Sequence, residues 1–217
     1  MNVDRVRSWA TELTWPALAL LVLAACGTSG SGQSGSAFTF LTVSEIRGNA
    51  GSSANSSLDD LDASTIVCAT LTNTLKNPTV TAPSILDNVT ITSYTVTFTR
   101  FDGGPPPGPF TVNTAFTVPA GSPQGQATTF VVVVPNQAKR QSPLSPRPPL
   151  PLPTNADIVF KGRDGRGNGL STQGSVTVVF VAAGTEAAAP TSCTAPSPPS
   201  TTPTPTTTPV TTPITTP

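Results

Sequence analysis

Histidine is absent from all 217 residues, which excludes Ser-His-Asp triads, imidazole-ligated metals and the usual switch near neutral pH. Charge is scarce too: 10% of the chain, balanced at 11 basic and 11 acidic residues. The basic field that nucleic acid attracts is missing, so no nucleic-acid partner is expected. There is no Gly-x-Ser-x-Gly, no phosphate-binding loop and no paired set of metal ligands. No catalytic residue, cofactor or metal is therefore assigned, and an enzyme is not expected. A hydrolase would need carboxylates that converge only in space. What is abundant is proline, at 25 residues, with valine and threonine dominating the apolar and polar positions, and that composition excludes a mainly helical protein.

The N-terminus reads as an address. Arg5 and Arg7 precede an apolar run from Leu13 to Ala25, interrupted by Trp15-Pro16. As a helix the run is about 20 Å long, too short for a hydrocarbon core of about 30 Å, and it suits a secretory leader spanning 1–25. It ends in Leu23-Ala24-Ala25-Cys26-Gly27, which resembles a bacterial lipobox. Asp4 and Glu12 cancel the two arginines, leaving the amino terminus as the leader's only net positive charge. The resemblance implies that Cys26 becomes the first mature residue and carries a diacylglyceryl thioether and an N-acyl chain. Each buried acyl CH₂ contributes about 0.8 kcal/mol, so several chains hold the protein to a membrane. The same resemblance implies the outer membrane where a cell has two, since Gly27 stands where an Asp would retain the protein at the inner one. Where the cell has one membrane, the protein faces outward from it. Losing the leader removes both tryptophans, Trp9 and Trp15, and takes two charges of each sign, leaving the mature chain neutral.

Residues 27–36, Gly-Thr-Ser-Gly-Ser-Gly-Gln-Ser-Gly-Ser, form a flexible tether with a root-mean-square reach of about 17 Å. At the other end, residues 184–217 hold 13 threonines and nine prolines around a single charge, Glu186. That composition cannot offset the entropy of ordering, so a disordered, polyproline-like tail is expected, whether a wall-penetrating stalk, a glycosylated brush or a solvated end.

Residues 37–183 are long enough for one core. Seven strands are expected there: Ala37–Arg47, Ser64–Lys76, Asn88–Phe101, Phe110–Val118, Gln126–Val134, Asp157–Asp164 and Ser171–Val181. In the third, Tyr94, Val96 and Phe98 share a face while Val89 and Ile91 are out of phase, so a bulge is expected near Thr92-Ser93. The four valines closing the fifth strand predict an inner strand covered on both faces. With Gly/Pro/Asn punctuation and no helical stretch, the fold class is all-β, a two-sheet antiparallel sandwich. The strand count and spacing resemble immunoglobulin-like and fibronectin type III modules, and Asp164, Gly167 and Asn168 resemble the Asp-x-x-Gly-Asn hairpin of bacterial immunoglobulin-like domains. Residues 88–180 resemble a group of bacterial lipoproteins of this architecture, a resemblance that implies no activity.

Several clusters admit more than one reading. Cys68 and Cys193 are either bridged, as an exported compartment permits, or left as a buried and an exposed thiol. Asp59, Asp60 and Asp62, beside Asn55, could offer oxygens to Ca²⁺, but Leu58 and Leu61 interrupt them and a solvated loop or short capped turn is favoured. In Asp164-Gly165-Arg166-Gly167-Asn168-Gly169 a cation stands where a ligand oxygen belongs, so a tight turn is favoured. Residues 142–153 read as a stiff polyproline strip joining two strands rather than a ligand for aromatic grooves. Lys139 and Arg140, with Lys161, Arg163 and Arg166, could meet anionic lipid or wall polymer. The functional expectation is a lipid-anchored envelope module whose loops 48–63, 102–109 and 136–154 display a surface for a protein or polysaccharide ligand. The alternative is an accessory subunit of an envelope assembly.

Overall fold

The computed structural model describes residues 37–77, 79, 82–121, 125–185, 188, 190, 192 and 193. The leader, Cys26, the tether and nearly all of the Thr/Pro tail lie outside the described residues. Among the described residues there are eight strands: β1 (Thr39–Arg47), β2 (Ser53–Ser57), β3 (Thr65–Leu75), β4 (Val89–Arg100), β5 (Phe110–Val118), β6 (Gly125–Val134), β7 (Leu152–Asp164) and β8 (Gly169–Val181). A single 3-10 turn (Ile85–Asp87) and a four-residue helix, α1 (Asn136–Lys139), complete the elements. The strands form two sheets, ordered β1-β3-β6 and β2-β8-β7-β4-β5. The fold is an all-β, two-sheet sandwich.

Alternation builds the core. The three-stranded sheet turns Leu41, Val67, Leu71, Val131 and Val133 inward, and the five-stranded sheet answers with Ile91, Val96, Ile158, Phe160, Val178 and Phe180. The register of β4 shifts between Ile91 and Ser93, the bulge that the phase change at Thr92-Ser93 implied. That extra residue lets Val89 and Ile91, as well as Tyr94, Val96 and Phe98, all point into the core. At Gly174 β1 packs closely onto β8. A Cβ there would stand 2.8 Å from Ile46 Cδ1 and 2.9 Å from Val43 Cγ1, so β8 leaves the space to the side chains of β1.

Two buried polar side chains pin the sheets together. The Tyr94 hydroxyl of β4 accepts from the Val132 amide of β6 at 3.0 Å. Asn73, fully buried on β3, donates through Nδ2 to the carbonyls of Asp87 and Val118 at 2.9 and 3.2 Å. A phenol or amide at these positions satisfies backbone groups of the opposite sheet, which an aliphatic side chain could not.

Four expectations are corrected. The strands number eight, not seven, because residues 53–57 of the expected loop 48–63 form β2, and this strand runs parallel to β8 in an otherwise antiparallel sandwich. After β1 the chain makes a tight turn, Gly48 N–H to Gly51 carbonyl at 2.8 Å, and changes sheets. The Ser-Ala-Asn-Ser-Ser sequence of β2 lacks an apolar stripe, yet Ala54, Ser56 and Ser57 are buried by close approach. The valine-rich β6 is an edge strand rather than an inner one, since β3 occupies the centre of its sheet and Val132 is only half covered. The stretch 142–153 is not a polyproline strip: residues 141–146 fold into successive turns, Leu144 is buried, and β7 already begins at Leu152.

Replacing Tyr94 by Phe should cost about 1–3 kcal/mol, because the Val132 amide loses its acceptor while the ring keeps its packing. Urea unfolding of the two proteins measures this, and an unchanged midpoint would mean that the hydroxyl pins nothing.

Candidate functional site

The sandwich has two poles of different chemistry. At the N-terminal pole lie residue 37, the start of β1, the end of β3, residues 82–88, the end of β5, the start of β6 and the 165–168 hairpin, as the strand registers require. The opposite, loop pole gathers the long connections 58–64, 101–109 and 135–151, where β8 also ends. Strands of 13 residues separate the poles by about 40 Å.

At the loop pole the acidic loop and the proline-rich loop neutralise each other. Arg147 pairs with Asp59 at 2.6 Å and Arg140 with Asp62 at 2.5 Å. Lys139, only 1% exposed at the end of α1, donates from Nζ to the Asp60 carbonyl at 2.9 Å. Asp60 Oδ1 accepts from the amides of Asp62 and Ala63, an Asx turn that shapes the loop. Asp59 Oδ2 accepts from the Ala183 amide at 2.6 Å, tying in the chain that leaves β8. The three carboxylates are thus spent on guanidinium and amide partners rather than arranged around a cation. Among the described residues no three of Cys, His, Asp and Glu stand where they could hold a metal ion. Between the two loops an open groove of about 400 Å³ is lined by Leu58, Leu61 and Leu144 together with Lys139, Arg140, Ser145 and Arg147.

Loop 101–109 is shaped by an arginine-carboxylate fork. Arg100 Nε and Nη2 both donate to Asp102, at 2.8 and 2.5 Å, and the guanidinium also reaches the Pro105 carbonyl. The Arg100 hydrogen bonds, with the Gly104 amide, hold the Asp102 carboxyl down at about 2. The other displaced carboxyl belongs to Asp87 at the far pole. Burial works to raise it, but the Arg166 hydrogen bond at 2.6 Å, the Ser84 amide and the arginine's charge outweigh burial and leave it below its ordinary value. Carboxylates held ionised in this way are poor proton donors, and the two lie at opposite ends of the molecule.

Cys68 and Cys193 are joined in a disulfide, with Cα atoms 5.4 Å apart. Val67, Ala69 and Leu71 face the core, so Cys68 stands on the outer face of the three-stranded sheet, opposite Arg47 and Phe130. It is 4% exposed there, covered by the chain that returns to Cys193. The 164–169 hairpin is a turn: Asp164 accepts from the amides of Arg166 and Asn168, and Gly167 takes φ 87°. Of the five cations singled out, Lys139 and Arg140 belong to the loop pole, Arg166 to the Asp87 pair, and Lys161 and Arg163 to the exposed face of β7. Cys26 lies outside the described residues. Linear order could not show the pairing of acids 59–62 with bases 139–147, which are about 80 residues apart.

No protein-family model matches the chain, and no curated protein sequence matches it.

Two outcomes are expected. Asp59→Ala should lower global stability by under about 1 kcal/mol, as for an exposed pair, while tryptic cleavage after Arg140 accelerates because the proline-rich loop and the chain leaving β8 each lose an anchor. Asp87→Asn should lower the melting temperature at neutral pH. Because its folded pKa is lowered, the Asp87 contribution is complete above the ordinary value of 3.8 and is lost as pH falls through the folded value, so the two melting curves should converge in acid.

Proposed function

We propose that this chain is a lipid-anchored protein of the bacterial cell envelope that works by display rather than catalysis. Cys26 is the acylated residue, residues 27–36 are the tether, and the sandwich holds its long loops away from the membrane for a protein or polysaccharide ligand. The observation that carries this reading is the polarity of the fold. The chain comes in at one pole, and the loops 58–64, 101–109 and 135–151 meet at the other, about 40 Å away. The groove lined by Leu58, Leu61 and Leu144 together with Lys139, Arg140 and Arg147 is a surface on which a ligand can settle.

The strand orders β1-β3-β6 and β8-β7-β4-β5 support the immunoglobulin-like reading, since they follow the plan in which one sheet is extended beyond the core strands. Two departures from antibody domains fit a distant relation: the bridge is on an outer face, and the core among the described residues holds no tryptophan. In a cell with two membranes the outer one is the destination.

A second reading, an accessory subunit of an envelope assembly, is favoured by one feature. The edge strand β5, Phe-Thr-Val-Asn-Thr-Ala-Phe-Thr-Val, pairs only with β4 and carries no charge or proline to discourage strand addition. Cross-linking in cells separates the two readings, because an assembly subunit yields a defined adduct through β5 and a display module does not.

Cys26→Ser should abolish fatty-acid labelling and release the protein from the membrane fraction. Mass spectrometry of the wild-type product with an unmodified N-terminus would overturn the anchor. Shortening loop 136–151 should abolish ligand capture while the remaining sandwich stays folded, and unchanged capture would exclude that loop from the binding surface.

A further inference from the structure

Six large apolar side chains are exposed among the described residues, and four of them stand at the N-terminal pole: Ile85 (80% exposed), Phe38 (58%), Leu86 (45%) and Phe40 (44%). Phe101 lies at the loop pole and Phe130 on the outer face of the three-stranded sheet. The four are held in a rigid frame. Ser84 and Asp87 form a capping box that fixes the turn carrying Ile85 and Leu86. The Gly165 amide donates to the Leu86 carbonyl at 3.0 Å, locking that turn against the 165–168 hairpin. Arg166 joins them, bonded to Asp87 at 2.6 Å and stacked 4.5 Å from the Phe38 ring, and Lys76 stands 5.2 Å from the Phe40 ring.

The charges at this pole are sorted by depth. Lys76, Arg163 and Arg166 face outward, whereas Asp87 and Asp164 are buried, 7% and 5% exposed, and turned onto Arg166 and the hairpin amides. The solvent meets apolar side chains among cations, which is the composition of a surface that rests in a bilayer interface. The neighbouring tether cannot cover it, because residues 27–36 contain only Gly, Ser, Thr and Gln. Ten residues of that composition have a root-mean-square reach of about 17 Å, so an acylated Cys26 would bring this pole, rather than the loop pole, to the membrane.

We propose that the N-terminal pole is a membrane-contacting face, with Phe38, Phe40, Ile85 and Leu86 inserted among the headgroups of an anionic bilayer and Lys76, Arg163 and Arg166 against its phosphates. The proposal rests on the lipid-anchor reading above and adds an orientation to it: the sandwich stands upright on the membrane with its loops outermost, rather than swinging freely on the tether.

The processed chain offers a direct probe, since loss of the leader removes both native tryptophans. Ile85→Trp and Phe101→Trp each introduce a single indole at an exposed site, at opposite poles. Both full-length proteins are expressed in a bacterial host, purified after processing, reconstituted into phosphatidylglycerol/phosphatidylethanolamine vesicles with brominated acyl chains, and checked for attachment by flotation. The Ile85→Trp protein should show blue-shifted emission and strong quenching, and the Phe101→Trp protein neither. Equal, weak quenching of both in vesicles that carry the protein would overturn the proposal while leaving the anchor intact, as would an Ile85→Trp indole that shifts only when a protein partner is added. Failure of both proteins to float would overturn the anchor, and the proposal with it.

Discussion

The position of every loop depends on two sheets being clamped face to face by a core of modest side chains. No tryptophan and no disulfide lies between the sheets among the described residues, so the clamp is made of valines, isoleucines, leucines and a few phenylalanines that alternate inward from each strand. Such a core is strong in area but weak in direction, because apolar contact alone tolerates sliding. Tyr94 and Asn73 supply the direction. Tyr94 accepts from, and Asn73 donates to, a defined backbone group across the interior, so the sheets have one satisfactory alignment instead of several.

Overall neutrality conceals two unlike ends. At the loop pole Asp59 and Asp62 meet Arg147 and Arg140 from another loop, and Asp102 meets Arg100 at the base of its own, so these charges are already spoken for. At the N-terminal pole the acids are drawn inward and the bases left outside, beside aromatic rings. A balanced composition excludes a strong global field, but it does not exclude a local one. The segregation arises because Asp87 and Asp164 are needed to cap a turn and a hairpin, which places them where solvent does not reach.

Much of the sandwich was legible in the sequence for a simple reason: strands buried on one face alternate. β5 emerges with the expected bounds and the bulge in β4 follows from a change of phase in five side chains. β2 escaped because serine and alanine can be buried by close backbone approach without an apolar stripe. The valines of β6 misled because a run of β-branched residues suits any strand with a well-packed face, whether inner or edge. The candidate surfaces were less legible than the fold. Asp59–Arg147 and Asp87–Arg166 join residues about 80 or more positions apart, and nothing in linear order pairs one carboxylate with one guanidinium when several of each are present. The bridge between Cys68 and Cys193 could be considered because only two thiols remained, but its place on the outer face became visible only when Val67 and Ala69 were seen to face inward.

That placement bears on how the molecule carries force. A pull applied to the tail beyond Cys193 passes through sulfur into β3, the middle strand of its sheet, and bypasses the end of β8 altogether. Traction that would otherwise unzip the larger sheet from Val181 must instead shear β3 out from between two neighbours at once.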